Sequence, residues 1–207
     1  MRRIARAMFG AALCLMAGVA AAHAQTYYLG VSGGYIYPHE SEIQANGVSG
    51  LDAAFDPGGA AAAAFGFEWI DGWRFEGEVS WRRSAFDSID NVPVDRGRAD
   101  IQAAMINVYY GFRKGATVNP YLGAGLGVAR FVISDLAVGV ATVDDSGGGM
   151  AWQGIAGVDF ALSPAWTLSL DYRFFAVDEV KMTDSLQIPF KANYMASTAM
   201  LGLRVGF

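Results

Sequence analysis

Between Trp73 and Arg82 the chain alternates without a break: Trp73, Phe75, Gly77, Val79 and Trp81 share one parity, and Arg74, Glu76, Glu78, Ser80 and Arg82 the other. Only extended backbone sends successive side chains to opposite faces. This segment is therefore a strand with one apolar face and one ionic face. The same two-residue period recurs from Gln25 onward in segments of about 10 to 14 residues, the length a tilted strand needs to cross a bilayer. It predicts eight strands near 26–37, 59–69, 73–83, 101–113, 119–131, 150–161, 166–176 and 194–207. The longest uncharged apolar run beyond the N-terminus, Ala60–Phe67, is far short of the roughly 18 residues of a spanning helix. A chain 53% hydrophobic and only 17% charged suits a membrane. If this one crosses a bilayer, it does so with strands.

The connections follow a rhythm. They are short at 70–72, 114–118 and 162–165, and long at 38–58, 84–100, 132–149 and 177–193. Asp71-Gly72, Lys114-Gly115 and Ser163-Pro164 supply turn formers at the short ones. Alternating short turns and long loops mark an up-and-down barrel in an outer membrane, with the turns periplasmic and the loops extracellular. A Greek-key sandwich has little reason to keep that rhythm. Lipid offers no water to the backbone, so such a sheet must close on itself. The expected fold is all-β: an eight-stranded antiparallel transmembrane β-barrel with both termini in the periplasm.

The first 24 residues read as a cleavable signal peptide. Met1–Arg6 is basic, Ala7–Ala21 apolar, and Ala22-His23-Ala24 a small-x-small cleavage site, leaving 25–207 as the barrel domain. The leader holds the single cysteine, Cys14, so the mature chain has no disulfide or thiol chemistry. Removing three of the 15 basic residues with it leaves 12 against 20 acidic, a formal charge of −8. That balance argues against a nucleic-acid partner.

Parity assigns the walls. The lipid-facing set includes Phe65, Phe67, Ile106, Val108, Leu122, Leu126, Leu168, Leu170, Leu201 and Leu203. Aromatic residues gather at strand ends as two girdles. Trp69, Trp73, Phe160, Trp166 and Phe207 fall on the periplasmic side, and Tyr37, Trp81 and Trp152 on the outer side. The opposite parity carries five acids (Glu68, Glu76, Glu78, Asp159, Asp171) and five bases (Arg74, Arg82, Arg113, Arg173, Arg204). Ions at that depth must be paired or hydrated, so an interior salt-bridge network filling a narrow lumen is expected. A gated pore, with Glu78 and Arg82 exchanging partners, is the alternative. Gly123, Gly125, Gly127, Gly154 and Gly157 leave room for large neighbours or strand curvature.

The long segments are acidic and rich in Gly, Ser and Asn, as mobile solvated loops are. Asp144 and Asp145 could meet divalent cations shared with lipopolysaccharide, but no spacing matches a calcium loop. No metal, cofactor or catalytic constellation is indicated. The one histidine left after cleavage, His39, sits beside Glu40 and Ser41, and such a triplet in a loop does not hold a nucleophile, base and orienter in place.

Asn119–Gly127, Ala151–Asp159, Leu170–Phe174 and the terminal Gly202–Phe207 together resemble the small eight-stranded outer-membrane barrels: the OmpA transmembrane domain, OmpX-type and opacity-type surface proteins. The resemblance spans the mature chain. It implies that Gly202, Val205 and Phe207 form a C-terminal signal for the barrel-assembly machinery, with Met200 departing where a polar residue is usual. Its further implications are outer-membrane lipid and lipopolysaccharide as surroundings, and a surface ligand, from host or envelope, on four extracellular loops. The function expected is non-enzymatic: envelope structure, or an adhesin- or antigen-like surface interaction. A small-solute pore and a lipid-modifying enzyme are the alternatives.

Overall fold

The computed structural model describes residues 26–39, 41–45, 48–89, 92–93, 97–138, 141–183 and 189–207; the expected signal peptide lies outside them, as do the side chains of Ser41, Asp144 and Asp145. The strands are β1 Thr26–Pro38, β2 Ser41–Ala45, β3 Val48–Phe55, β4 Gly58–Glu68, β5 Trp73–Ile89, β6 Val92–Pro93, β7 Arg98–Gly111, β8 Val118–Val138, β9 Ala141–Ala161, β10 Trp166–Thr183 and β11 Pro189–Gly206. All are antiparallel to their neighbours, and β1 pairs with both β4 and β11, so the sheet closes.

The eleven segments make eight staves. β2 continues the line of β1, since both lie against β11. β3 continues β4, since both lie against β5. Pro57, which has no N–H to give a ladder, stands at the second break. The backbone bridges both interruptions: His39 N–H donates to the Met195 carbonyl at 2.9 Å, and Asp56 N–H to that of Ala85 at 2.9 Å. β6 is a two-residue return onto β5.

At the short-turn end the strands stop within two residues of the positions read from sequence. At the other end they do not. The segments expected as loops at 38–58, 84–100, 132–149 and 177–193 are largely paired strand: β5 runs to Ile89, β8 to Val138 and β10 to Thr183. Bulges between Ile133 and Leu136 and between Val177 and Val180 carry the ladder outward. Sequence periodicity reports a difference between two faces. It fades where both faces of a hairpin are polar or small, although the ladder continues.

The tight turn Ile70–Gly72 places Asp71 at φ 57° and Gly72 at φ 87°. A Cβ on Gly72 would collide with the Gly111 carbonyl oxygen, whereas one on Gly115, at φ 80°, would meet open space. Gly72→Val is expected to cost about 3 kcal/mol, from strained backbone plus that clash, and Gly115→Ala about 1 kcal/mol. Urea unfolding of the two variants in lipid vesicles, followed by tryptophan fluorescence, checks the order.

Candidate functional site

The inward face forms two tiers. Near the short turns the lumen is ionic. Asp159 takes Arg74 Nη1 at 3.0 Å and Arg204 Nη2 at 2.7 Å on one oxygen. Arg74 lies over the rings of Tyr109 and Tyr121, at 4.2 and 4.9 Å. Arg173 bridges two carboxylates, with Nη1 on Glu78 and Nε on Asp171, both at 2.5 Å. Glu76 is held by neutral donors instead: Tyr28 hydroxyl at 2.7 Å, Tyr109 hydroxyl at 2.8 Å and Asn107 Nδ2 at 3.3 Å. Tyr121 donates to Asp171 at 3.0 Å, and Gln153 Nε2 to Asn107 Oδ1 at 2.8 Å. Charges this deep are tolerated because they are paired and hydrogen-bonded together.

Toward the long staves the lumen turns apolar. Ile36, Ile101, Met105, Phe131, Phe175, Val177 and Tyr194 form one buried cluster. Arg82 marks the boundary. Its Nη1 donates to Ser80 Oγ at 2.8 Å and its guanidinium lies 3.8 Å from the centre of the Phe175 ring.

Of the expected interior network, Arg74, Glu76, Glu78, Arg82, Asp159, Asp171, Arg173 and Arg204 are buried in the lumen. Arg113 is not. It lies exposed in the turn after β7, because that strand ends at Gly111. Glu68 is half-buried and lines a small pocket at the short-turn mouth with Lys114 and Asn119. The described pairs gather at the short-turn end of the lumen. Glu78 engages Arg173, while Arg82 donates to Ser80. Sequence reasoning missed Tyr28, Asn107, Tyr109, Tyr121 and Gln153. Their shared inward parity could have revealed them. Inner glycines make room for them: a Cβ on Gly125 would strike Asn107, and one on Gly123 the Tyr109 ring.

Trp69, Trp73, Trp81, Trp152 and Trp166 are exposed on the outer wall and Phe160 is half-buried there. Gly202 faces inward against Ser169, Val205 is half-buried on the outer parity, and Phe207 follows β11, its N–H on the Tyr27 carbonyl at 2.9 Å. Met200 is buried in the lumen. His39 reaches across the seam. Its Nε2 pairs with Ser197 Oγ at 2.9 Å, and that hydroxyl also meets Tyr172 hydroxyl at 2.6 Å.

The network separates two kinds of charge pair. Arg173→Met strands Glu78 and Asp171 in the lumen and is expected to cost about 3–5 kcal/mol. Arg83 is 47% exposed in its pair with Asp100, where water screens the attraction, and Arg83→Ala is expected to leave the urea midpoint almost unchanged. Urea midpoints in vesicles measure both.

Comparison with known proteins places this geometry. Neisserial surface protein A superposes with a TM-score of 0.58 at 18% identity, over 89% of this chain and 100% of that one. OprG of Pseudomonas aeruginosa gives 0.60 at 15%, over 89% and 96%, and AlkL, solved in lipid bilayers, 0.55 at 18%, over 92% and 94%. No curated protein sequence matches. The model of the outer membrane protein β-barrel domain matches residues 9–206. The chain, a closed antiparallel barrel with a lumen ionic at one end and apolar at the other, thus belongs to the outer-membrane β-barrel family and is an integral protein of the bacterial outer membrane.

Proposed function

We propose that this barrel works at the cell surface without catalysis, its short turns in the periplasm and its long staves presenting an adhesin- or antigen-like contact surface to a host or envelope ligand. The observation that carries this reading is the filled lumen. Ion pairs occupy one tier and packed side chains the other, leaving the outside of the molecule as its working surface. Staves such as β8 and β9, 21 residues each, are about twice the length a bilayer requires. Their surplus projects beyond the membrane. The terminal Gly202, Val205 and Phe207 are read as the signal taken by the barrel-assembly machinery.

The His39–Ser197–Tyr172 cluster is read as a clasp across the barrel seam, since it ties β10, β11 and the end of β1 together. His39→Ala is therefore expected to leave the acylation pattern of lipid A unchanged by mass spectrometry. A changed pattern would favour a lipid-modifying enzyme. Purified barrel in planar bilayers is expected to give no stepwise conductance; regular steps would favour the pore.

Orientation and surface role have their own tests. An epitope tag between Asn46 and Gly47 is expected to be stained by antibody on intact cells. Staining only after permeabilisation would reverse the orientation. Vesicles carrying the barrel are expected to bind immobilised matrix glycoproteins well above empty vesicles, and replacing residues 41–55 with a Gly-Ser turn to abolish the difference.

A further inference from the structure

At the short-turn mouth a cavity of about 30 Å³ lies between the rim, at Gly72 and Lys114, and the ionic tier, at Arg74 and Asp159. Glu68 lines its side from the position opposite Arg74 on β4. Arg74 and Asp159 keep only 8% and 7% of their side-chain surface exposed, and their ion pair runs through Nη1 and Oδ2. The other edge of each group is buried too. Arg74 Nε–H and Asp159 Oδ1 have no hydrogen-bond partner among the described residues. The remaining polar side chains of the cavity have partners. Tyr109 donates to Glu76 at 2.8 Å and Tyr121 to Asp171 at 3.0 Å. Lys114 gives its ammonium to the Trp69 carbonyl at 2.8 Å, and Asn119 takes the Arg113 N–H on its side-chain oxygen at 2.7 Å.

A polar atom buried without a partner is costly, and more so on an ionised group. An occupant of this cavity has to accept from a guanidinium and donate to carboxylates. Water does both. A halide accepts but would face Asp159 and Glu68, a metal ion would face the Arg74 N–H, and an ammonium group cannot accept. Size agrees, because a water needs roughly 10–15 Å³ of such space. A water on Arg74, Asp159 and Glu68 would also make about three hydrogen bonds, the usual number for a buried one.

We propose that the short-turn mouth is a hydration port. It seats an ordered water between Arg74 Nε–H, Asp159 Oδ1 and the Glu68 carboxylate, and through that water the Arg74 N–H exchanges hydrogen with solvent on this side of the membrane. Toward the long staves Ile36, Ile101, Phe131, Phe175 and Tyr194 pack the lumen shut, so the ionic tier is wetted from one end. The port depends neither on which side the short turns face nor on what the stave tips bind.

The test places the whole barrel, carrying isotope-labelled arginine, in lipid nanodiscs and reads NOE and ROE transfer from water to the arginine Nε–H groups. Arg74→Lys assigns the Arg74 signal by removing it. That signal is expected to show NOE and ROE of opposite sign, the mark of a water that stays bound. It is also expected to exchange with solvent several-fold faster than Arg173 Nε–H, which is bonded to Asp171. Glu68→Gln, which keeps an acceptor, should retain the water contact. Glu68→Met, which removes the acceptor and fills the cavity, should weaken it several-fold. Heat-modifiable gel migration checks that both variants are folded, and the wild-type spectrum is decisive without them. Absence of a bound-water contact at Arg74 overturns the port, as does a contact that a folded Glu68→Met leaves undiminished. An Arg74 signal that shifts when bromide replaces chloride would mark an anion instead and overturn it too. Arg173 exchanging as fast as Arg74 would show solvent throughout the lumen and contradict entry at one mouth.

Discussion

Hydrocarbon cannot hydrogen-bond a peptide group, and each unsatisfied one costs several kcal/mol there. The pairing of β1 with β11, in register from Tyr28 opposite Gly206 to Pro38 opposite Ala196, removes the last free edge. The rest of the structure follows from that closure. Eight staves enclose a lumen only as wide as its side chains, so the interior has to be packed like a core although half of it is ionic. This is why glycines alternate with bulky partners on the inner face: Gly123 beside Tyr109, Gly125 beside Asn107, Gly157 beside Tyr121.

The two tiers solve different problems. In the ionic tier each carboxylate collects donors from several staves, so that Asp159 links β5 and β11 through β9, and Arg173 links β10 to β5. Such cross-lumen ties oppose slippage between strands that are not neighbours in the sheet. The apolar tier, with Phe131, Phe175 and Tyr194 in edge contact, closes the opposite end by packing. Between them Arg82 rests on Phe175 instead of a carboxylate.

The wall and the short turns were legible in the sequence, and the reason is visible at Trp73–Arg82. There the two faces differ so sharply that parity alone assigns every side chain, and Asp71-Gly72 fixes where the reversal falls. The tips were not legible. Residues of β2, β3 and the outer parts of β8 and β9 have no apolar–polar contrast, so paired strand reads as loop. The candidate network was legible as a set but not as pairs: parity places Arg82 and Glu78 in one lumen, while the tilt of the staves decides that Glu78 meets Arg173 from across the barrel. Arg113 was misplaced because the period was carried two residues past Gly111 into a turn. His39 found Ser197, 158 positions away, a contact that only closure of the sheet creates.

The central claim is that one parity of the staves faces acyl chains and the other a packed lumen. Residues 25–207 contain no cysteine, so single cysteines can be introduced and spin-labelled at Val79, Leu170 and Leu201 on one parity and at Ala103, Ile155 and Thr198 on the other. Collision rates with oxygen, which concentrates in hydrocarbon, then read the environment of each. The account predicts high oxygen accessibility at the first three and low accessibility to oxygen and aqueous relaxants at the second three. Val79 and Leu201 shielded from oxygen, as if packed beneath a second layer of protein, would contradict it.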